Sequence, residues 1–327
     1  MRLATLAEGG RDGTLVVVSA DGARFLPARN LAATLQAALD DWPRAEPGLR
    51  AFSRRLEAGE GETLAGRAFA APLPRAWQWL DGSVFPTHGE LMARLFGIEA
   101  KVPGKPLMYQ GLSHQFLGPA DEVPLPRESD GIDFEGEFGV ITDAVPMGVS
   151  AAEAASHIKL VLLINDWSLR ALAGPEMQTG FGWIQAKPAC SMAPFAVTPD
   201  VLAEEWKDGR VQMRLRVERN GVWFGEPHGG AMSFSFPELV AHAAGTRALC
   251  AGTIVGSGTV SNADYKTSGS TCIAERRAIE TLEEGGVKTP FLSFGERVRM
   301  QAVDRAGRSP FGAIDQRVVQ HSREAQA

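Results

Sequence analysis

The chain has 327 residues, of which 44% are apolar and 22% charged, and its formal net charge is −6 at pH 7. These values are typical of a globular protein with a sizeable core and room for two structural units. Acidic and basic residues are interspersed and no Lys/Arg-rich block stands out, so we expect no nucleic-acid partner. The longest apolar runs, such as Leu160 to Ile164, are far shorter than a membrane span. We therefore expect no membrane segment, and a cytoplasmic protein is the default expectation.

The cysteine and histidine content limits the kinds of metal site that are possible. The cysteines are Cys190, Cys250 and Cys272, which are odd in number and contain no CxxC spacing, so we predict neither a disulfide framework nor a thiolate zinc site. No two of the six histidines lie at HxH or HxxxH spacing. Any metal site would thus be rich in oxygen ligands, which favours Mg²⁺, Ca²⁺ or Mn²⁺ over Zn²⁺.

The first part of the chain predicts short strands and a helix. The residues from Arg2 to Leu26 alternate β-branched runs with turn clusters. Asn30 is a candidate N-cap for a helix through LAATLQAALDDW, which we expect Pro43 to end.

A proline-rich segment from Ala71 to Trp77 is interpreted as a linker. We predict a small β-rich N-terminal domain over residues 1–72 and a larger domain over residues 73–327. In the larger domain, Ser150 and Glu153 fit a capping box, and the run KLVLLINDW suits a buried strand. Because helices and strands do not alternate regularly, a doubly wound sheet is disfavoured, and the predicted class is α+β, mostly β.

The segment DFEGEFGVI carries two glutamates in a strand-like alternation. Glu135 and Glu137 are two residues apart and should point the same way. One interpretation is a solvent-facing strand, since glutamate on a strand usually faces water. The other is a ligand pair: the same face continues into Gly139 and Ile141, and Gly136 and Gly139 indicate close approach by another backbone or a ligand. The local pattern leaves both open.

Further acidic and basic residues stand at positions with two interpretations. Asp166 closes a strongly apolar run, where a rigid strand end can present a ligand, but it could equally form an N-cap or Asx-turn. Asp81 precedes a glycine, as turn residues do, and His88 follows seven residues later. Lys187 stands in an otherwise apolar stretch, which favours a buried role.

Taken in order, these residues resemble the catalytic core of the fumarylacetoacetate hydrolase family. The resemblance runs from Asp81 to the end of the chain and, more weakly, through the N-terminal segment. It rests on an ordered set: Asp81 with His88, Tyr109 before a glycine, Glu135 with Glu137, the Asn-Asp-x-Ser-x-Arg of residues 165–170, Lys187, and the Gly-Thr-Val-Ser of residues 258–261.

The resemblance implies a fold and a set of roles. The fold would be a mixed β-roll or β-sandwich catalytic domain, with a small N-terminal β-rich domain, in a homodimer. One divalent cation, Mg²⁺ or alternatively Ca²⁺ or Mn²⁺, would be bound by four carboxylates: Asp81, Glu135, Glu137 and Asp166. The other implied roles are a general base, its orienting partner, electrostatic groups and substrate contacts: His88, Glu275, Arg170 with Lys187, and Tyr109 with Ser83 and Thr259.

Elementary chemistry agrees with these roles. Several carboxylates in one site repel each other unless a cation is present, and a 1,3-dicarbonyl compound offers two oxygens to chelate that cation. The expected substrate is a small diketo or 2-oxo acid, and the expected reaction is hydrolysis of a carbon–carbon bond in a fumarylacetoacetate-like or acylpyruvate-like diketo acid.

Two departures from the family pattern leave other reactions open. Family hydrolases have a substrate-contacting glutamine three residues after the arginine, where this chain has Ala173, and Glu275 lies about two residues beyond the usual position of the orienting glutamate. The alternatives are an isomerase, decarboxylase or hydratase of a 2-oxo acid in aromatic or sugar-acid catabolism, and a metal-binding dimer without turnover. The Asp81–His88 pair favours hydrolysis, whereas Ala173 favours the other reaction classes.

Overall fold

The computed structural model describes residues 1–96 and 104–322. Its helices are short, and most lie between strands. They are α1 (Leu35–Asp40), α2 (Trp42–Glu57), α3 (Pro86–Phe96), α4 (Ala151–His157), α5 (Arg170–Gln178), α6 (Pro199–Leu202), α7 (Phe236–Ala243), α8 (Tyr265–Ser268) and α9 (Ile273–Glu283). Single 3₁₀ turns occupy Glu128–Asp130, Ala203–Glu205 and Gly229–Ala231.

Strands are more numerous than helices, which confirms the predicted α+β, mostly β class. They are β1 (Arg2–Leu6), β2 (Thr14–Val18), β3 (Arg24–Pro27), β4 (Glu62–Thr63), β5 (Trp79–Gly82), β6 (Met108–Gln110), β7 (Val123–Leu125), β8 (Ile132–Asp133), β9 (Gly136–Thr142), β10 (Ile158–Asn165), β11 (Ser168–Leu169), β12 (Ser191–Met192), β13 (Phe195–Val197), β14 (Trp206–Lys207), β15 (Arg210–Val211), β16 (Arg214–Arg219), β17 (Val222–Gly225), β18 (Ile254–Gly256), β19 (Arg297–Val303) and β20 (Ala313–Gln320).

The largest sheet has the strand order β4-β3-β2-β1-β13-β10-β9-β18-β5-β6, and β12 pairs with β10 beside this path. Its centre is β10, the predicted buried strand. Val161 and Leu163 pack into one apolar cluster, while Leu162 and Ile164 pack into a second one. Both faces of this strand are therefore covered, which explains why its sequence is an almost continuous apolar run.

A second sheet, in the order β17-β16-β19-β20-β7, supplies further apolar side chains to the first of these clusters. Val217, Met300 and Ile314 from its strands lie in the same core as Phe138 of β9. Two short ladders, β8–β11 and β14–β15, stand apart from the two large sheets. The catalytic part predicted for this chain is thus built on sheets that share one core.

The N-terminal strands continue the central sheet. β1 pairs antiparallel with β13, with Leu3 opposite Ala196. Residues 71–78 form neither helix nor strand, which agrees with the predicted linker. The domain boundary between residues 72 and 73 stays a prediction.

Of three local predictions about helix ends, the structure confirms one and contradicts two. Ser150 and Glu153 form the predicted capping box at the start of α4. The prediction that Pro43 ends a helix was wrong: it lies in the first turn of α2, where a missing N–H is tolerated and the fixed φ suits the helix. The preceding helix is capped by Thr34 and not by Asn30, because the Thr34 side chain accepts the N–H of Ala37.

Among the described residues, no helix combines the length and the apolar character required to cross a bilayer.

Candidate active site

Three carboxylates from neighbouring elements meet inside the large sheet. Asp81 lies in β5, Glu137 in β9, and Asp166 directly after β10. Because β10, β9, β18 and β5 are successive strands, these side chains converge although they are distant in sequence. Each offers an oxygen, and these oxygens lie within 4.8 Å of one another. All three side chains are buried.

The contacts of Asp166 and Asp81 decide between the interpretations that the sequence left open. Asp166 does not cap a turn: its Oδ2 accepts from the Tyr109 hydroxyl at 2.7 Å and from Lys187 Nζ at 2.5 Å, and its Oδ1 accepts from Cys190 Sγ at 2.9 Å. Asp81 lies within a strand, and its Oδ1 accepts the backbone N–H of Gly258 at 3.1 Å. Both residues are therefore held in place by long-range contacts.

Glu137 is the residue that most clearly requires a partner. Its side chain is fully buried, and among residues 1–96 and 104–322 no N–H, hydroxyl or thiol group donates to either carboxylate oxygen, so that only the neighbouring Asp81 carboxyl can share a proton with it. Burial, together with Asp81 and Asp166, raises the pKa of Glu137 well above its usual value. Burial and Asp166 also raise the pKa of Asp81 to about 8. Without a cation, a proton shared between Asp81 and Glu137 relieves the repulsion; a hard divalent cation would relieve it for all three carboxylates.

Glu135 lies beside these three carboxylates in a different electrostatic setting. Its oxygens accept from Arg170 Nη2 at 2.5 Å and from Lys187 Nζ at 2.7 Å. Burial alone would raise the pKa of Glu135, but Lys187 and Arg170 outweigh it and lower that pKa. Burial excludes the solvent-facing interpretation of both glutamates. Lys187 bridges Glu135 to Asp166, so Glu135 adjoins the cluster, and its role as a metal ligand stays a prediction.

Arg170 and Lys187 are both drawn into this network. Arg170 begins α5, and its Nε donates to Asp133 at 2.8 Å. Burial lowers the pKa of the Lys187 ammonium, but the carboxylates of Asp166 and Glu135 outweigh burial and raise it above the usual value. Lys187 therefore remains a cation, surrounded by carboxylates and buried as its sequence context indicated.

Asp133 has a role that the sequence analysis did not assign. Its carboxylate accepts the backbone N–H groups of Ile273 and Ala274 at the start of α9, at 2.7 and 2.9 Å, as well as the Arg170 guanidinium. It thus ties α9, which carries Glu275, to the strand that leads into the glutamates. The available signal was its parity: residue 133 shares the alternation of Glu135 and Glu137.

His88 and Glu275 meet across the packed helices α3 and α9. Their Nδ1 and Oε2 atoms are 3.0 Å apart. Glu275 is fully buried, whereas 14% of the His88 side chain is exposed. His88 also lies close enough to Glu135 to contribute to the lowering of its pKa. The histidine thus stands at the edge of the carboxylate cluster, with a glutamate behind it.

Ser83 and Thr259, the predicted substrate contacts, lie at the rim. Ser83 follows β5 and is exposed, and Thr259 is buried in the turn after β18. Gly258 has φ +76° and packs against the backbone of Gly82 and Ser83, so that a side chain at this position would collide with the Gly82 carbonyl oxygen. This close approach places Thr259 next to Ser83.

An aromatic pair lies on the other side of Lys187. The rings of Tyr109 and Trp183 meet edge to face, with centroids 4.7 Å apart. Lys187 Nζ lies 5.5 Å from the Tyr109 centroid and 5.7 Å from that of Trp183. The sequence analysis did not single out Trp183 or Cys190, because neither stands in a spacing that signals a site.

Two models of known protein families match this chain, and together they cover most of its length. Residues 79–319 match the family model "Fumarylacetoacetate (FAA) hydrolase C-terminal", and residues 1–75 match "Fumarylacetoacetase N-terminal domain 2". A 2,4-didehydro-3-deoxy-L-rhamnonate hydrolase of Sphingomonas sp. is 30% identical over 161 residues, which are 48% of this chain and 54% of that protein. The alignments cover about half of the curated relatives that this chain matches.

Solved structures share the fold over nearly the whole chain. Maleylpyruvate hydrolase from Sphingobium sp. SYK-6, in complex with manganese(II) and pyruvate, has a TM-score of 0.67 at 17% identity and covers 98% of this chain and 100% of its own. The 5-carboxymethyl-2-hydroxymuconate delta-isomerase from Mycobacterium smegmatis has a TM-score of 0.62 at 19% identity and covers 99% and 100%. At these identities the likeness establishes the fold alone.

Proposed function

The chain belongs to the fumarylacetoacetate hydrolase family, and from this premise we propose that it is a metal-dependent hydrolase that cleaves a carbon–carbon bond in a fumarylacetoacetate-like or acylpyruvate-like diketo acid. The observation that carries the proposal is the buried carboxylate of Glu137, which no N–H, hydroxyl or thiol donor of the described chain reaches, in a cluster that adjoins the His88–Glu275 pair.

The donor set fits a hard divalent cation. Asp81, Glu137 and Asp166 would hold Mg²⁺, or alternatively Ca²⁺ or Mn²⁺, and Glu135 is proposed as a fourth ligand. The cation, when bound, polarises the oxygens of the diketo acid and neutralises the charge that develops as the bond breaks. Manganese(II) is bound in the maleylpyruvate hydrolase that shares this fold, which supports the proposal.

His88 is the proposed general base. In this proposal the 3.0 Å contact with Glu275 holds the proton on His88 Nδ1, with the carboxylate as the acceptor. This leaves Nε2 free to take a proton from water, and the carboxylate of Glu275 stabilises the imidazolium that forms. The pair therefore has the arrangement that hydrolysis requires.

Electrostatic and substrate contacts would come from side chains around the cluster. Arg170 and Lys187 place positive charge where an enolate would develop. Tyr109 reaches Asp166 with its hydroxyl and faces Lys187 with its ring. Ser83 and Thr259 are proposed to contact the substrate from the rim.

An isomerase, decarboxylase or hydratase acting on a 2-oxo acid is the second candidate, and a specific residue favours it. Ala173 has no side-chain group to bond a substrate oxygen, and its backbone carbonyl is taken up by the indole N–H of Trp183 at 3.3 Å. These reactions would use the same cluster. A homodimer remains part of the proposal and rests on the family resemblance, and the cytoplasmic location stays the default expectation from the sequence.

The test is a panel of diketo acids and 2-oxo acids assayed with Mg²⁺, Mn²⁺ and Ca²⁺, with products identified. Hydrolysis in ¹⁸O-labelled water should place label in the carboxylate product. Turnover without label in the product would end the hydrolase proposal and favour the second candidate. Turnover at full rate in the presence of a strong chelator would end the metal proposal.

A further inference from the structure

The loop that follows α5 brings an aromatic side chain to the edge of the cluster. Trp183 is half-buried, and its indole N–H donates to the carbonyl of Ala173 on α5. Its ring meets the ring of Tyr109 nearly at right angles. The Tyr109 hydroxyl in turn bonds Asp166. The two rings therefore form a continuous aromatic wall that begins at a proposed metal ligand and runs outward.

The backbone behind Trp183 is fixed by one carboxylate. Glu176, on α5, accepts the consecutive backbone N–H groups of Ile184, Gln185 and Ala186 at 3.0, 2.9 and 3.1 Å. Three bonds to one carboxylate hold the chain between Trp183 and Lys187 in a single conformation. The position of the indole is thus set by the fold and not by chance packing at the surface.

The two cations at the site, Arg170 and Lys187, are already paired with carboxylates. The aromatic wall can therefore offer a ligand a contact of another kind. Arg170 contacts Asp133 and Glu135, and Lys187 contacts Glu135 and Asp166. When the carboxylate and keto oxygens of a 2-oxo acid lie at the cluster, the rest of the molecule extends past these residues. The surface available to it on the Tyr109 side is aromatic, and flat unsaturated groups pack best on aromatic rings.

We propose that Trp183, with Tyr109, is the specificity-determining residue of this site, and that it favours a 2-oxo acid with a planar, unsaturated tail over one with a saturated tail. This inference rests on the proposed function, because the head of the ligand must bind at the carboxylate cluster. Aromatic contacts of this kind contribute about 0.5–1.5 kcal/mol, so the preference should lie between about twofold and about tenfold in Kd.

The test measures binding by calorimetry in the presence of Mn²⁺, with three ligands that share one head group. They are pyruvate, (E)-2-oxohex-3-enoate with a planar, unsaturated tail, and 2-oxohexanoate with the saturated tail of the same length. The wild type should bind the unsaturated acid more tightly than the saturated one. Trp183→Leu should abolish this preference, while Trp183→Phe, which keeps a planar ring, should retain most of it.

Controls separate this inference from the proposed function. Pyruvate should bind wild type and Trp183→Leu equally, which also shows that the variant is folded. Phe181→Ala alters a side chain in the same loop that is 99% exposed, and it should leave the preference unchanged. An equal preference in wild type and Trp183→Leu, or none in wild type, overturns the role of Trp183 and leaves the proposed function standing. Failure of all three acids to bind overturns both.

Discussion

His88 Nδ1 lies 3.0 Å from Glu275 Oε2, although the two residues are 187 positions apart. The contact depends on the packing of α3 against α9, and it gives the imidazole one defined tautomer. A second pair of the same kind, His157 Nδ1 with Asp143 Oδ1 at 2.6 Å, lies away from the carboxylate cluster. The chain therefore contains both a proposed catalytic pair and a natural control.

We predict that His88→Ala loses turnover by about 10²- to 10⁴-fold, which is the usual contribution of a positioned general base. Mn²⁺ affinity should be unchanged, because the imidazole is not a proposed ligand. Glu275→Gln should also slow turnover, since the amide cannot stabilise the imidazolium. Asp143→Asn is the matched control and should behave as wild type. A His88→Ala rate within a few-fold of wild type would refute the base assignment.

We predict that Glu137→Gln weakens Mn²⁺ binding by at least about tenfold, because the amide removes a charge that the cation requires. In the metal-free protein above about pH 8, where Asp81 ionises, the same change should raise Tm, since the amide N–H can donate to the Asp81 carboxylate and carries no charge that repels it. Calorimetry and thermal unfolding in chelator measure the two effects. Glu46→Gln, at the surface, is the control. A metal-free variant less stable than wild type at this pH would contradict the repulsion between Glu137 and Asp81.

The stability of the metal-free protein should depend on pH because burial, and after it the charge of Asp166, raises the pKa of Asp81 to about 8. A carboxyl group with a raised folded pKa stabilises fully below its unfolded pKa of about 3.9, and this contribution is lost as the pH rises through the folded pKa. The lowered pKa of Glu135 acts in the opposite direction, but its contribution is complete above about pH 5. The metal-free protein should therefore lose stability between about pH 5 and about pH 8.

Thermal unfolding in chelator across this range measures the slope. Asp81→Asn should flatten it, because the amide does not titrate. Binding of Mn²⁺ near pH 6 should also release protons, which calorimetry in two buffers of different ionisation enthalpy detects. Stability that rises across the window would contradict the raised pKa of Asp81.

The buried Asp133 should contribute more to the free energy of unfolding than the exposed Asp315–Arg297 ion pair, although the distances in that pair are shorter. Asp133→Ala leaves the Nε–H of Arg170 and two N–H groups of α9 without their acceptor, and we expect a loss of about 3–5 kcal/mol in the free energy of unfolding. Asp315→Ala removes a bidentate partner of Arg297, but that guanidinium is 59% exposed, and the loss should be about 1 kcal/mol or less. Denaturant unfolding compares the two, and equal losses would contradict the prediction.

The alternation of residues along the chain supplied the main predictions about strands. It correctly placed a buried strand at β10. It also predicted that Glu135 and Glu137 share one face, because strand periodicity is a local property, but the structure interrupts that strand, and Glu137 lies in β9 while Glu135 precedes it. It could not decide that this face is buried, since burial depends on β18 and β10 lying on either side of β9. The family resemblance, and not the alternation, brought Asp81 and His88 into the hypothesis.

Other parts of the site depend on contacts that no local pattern encodes. Asp133 accepts backbone N–H groups of α9 that lie about 140 residues later in the sequence. The position of Trp183 depends on Glu176, which accepts backbone N–H groups, and every residue type except proline provides these. Pro43 was misinterpreted because proline both ends helices and occupies their first turn, and only the position of the preceding helix distinguishes the two cases.

The pairing of β1 with β13 has a consequence for the tendency of this protein to associate with other chains. β13 is a three-residue apolar strand, and with β1 in place its outer backbone groups are satisfied. Removing residues 1–72 should leave β13 as an open, apolar sheet edge, which is a template for association with other chains. The N-terminal segment thus acts as an edge protector, and its loss should appear first as aggregation, before any change in the chemistry of the carboxylate cluster.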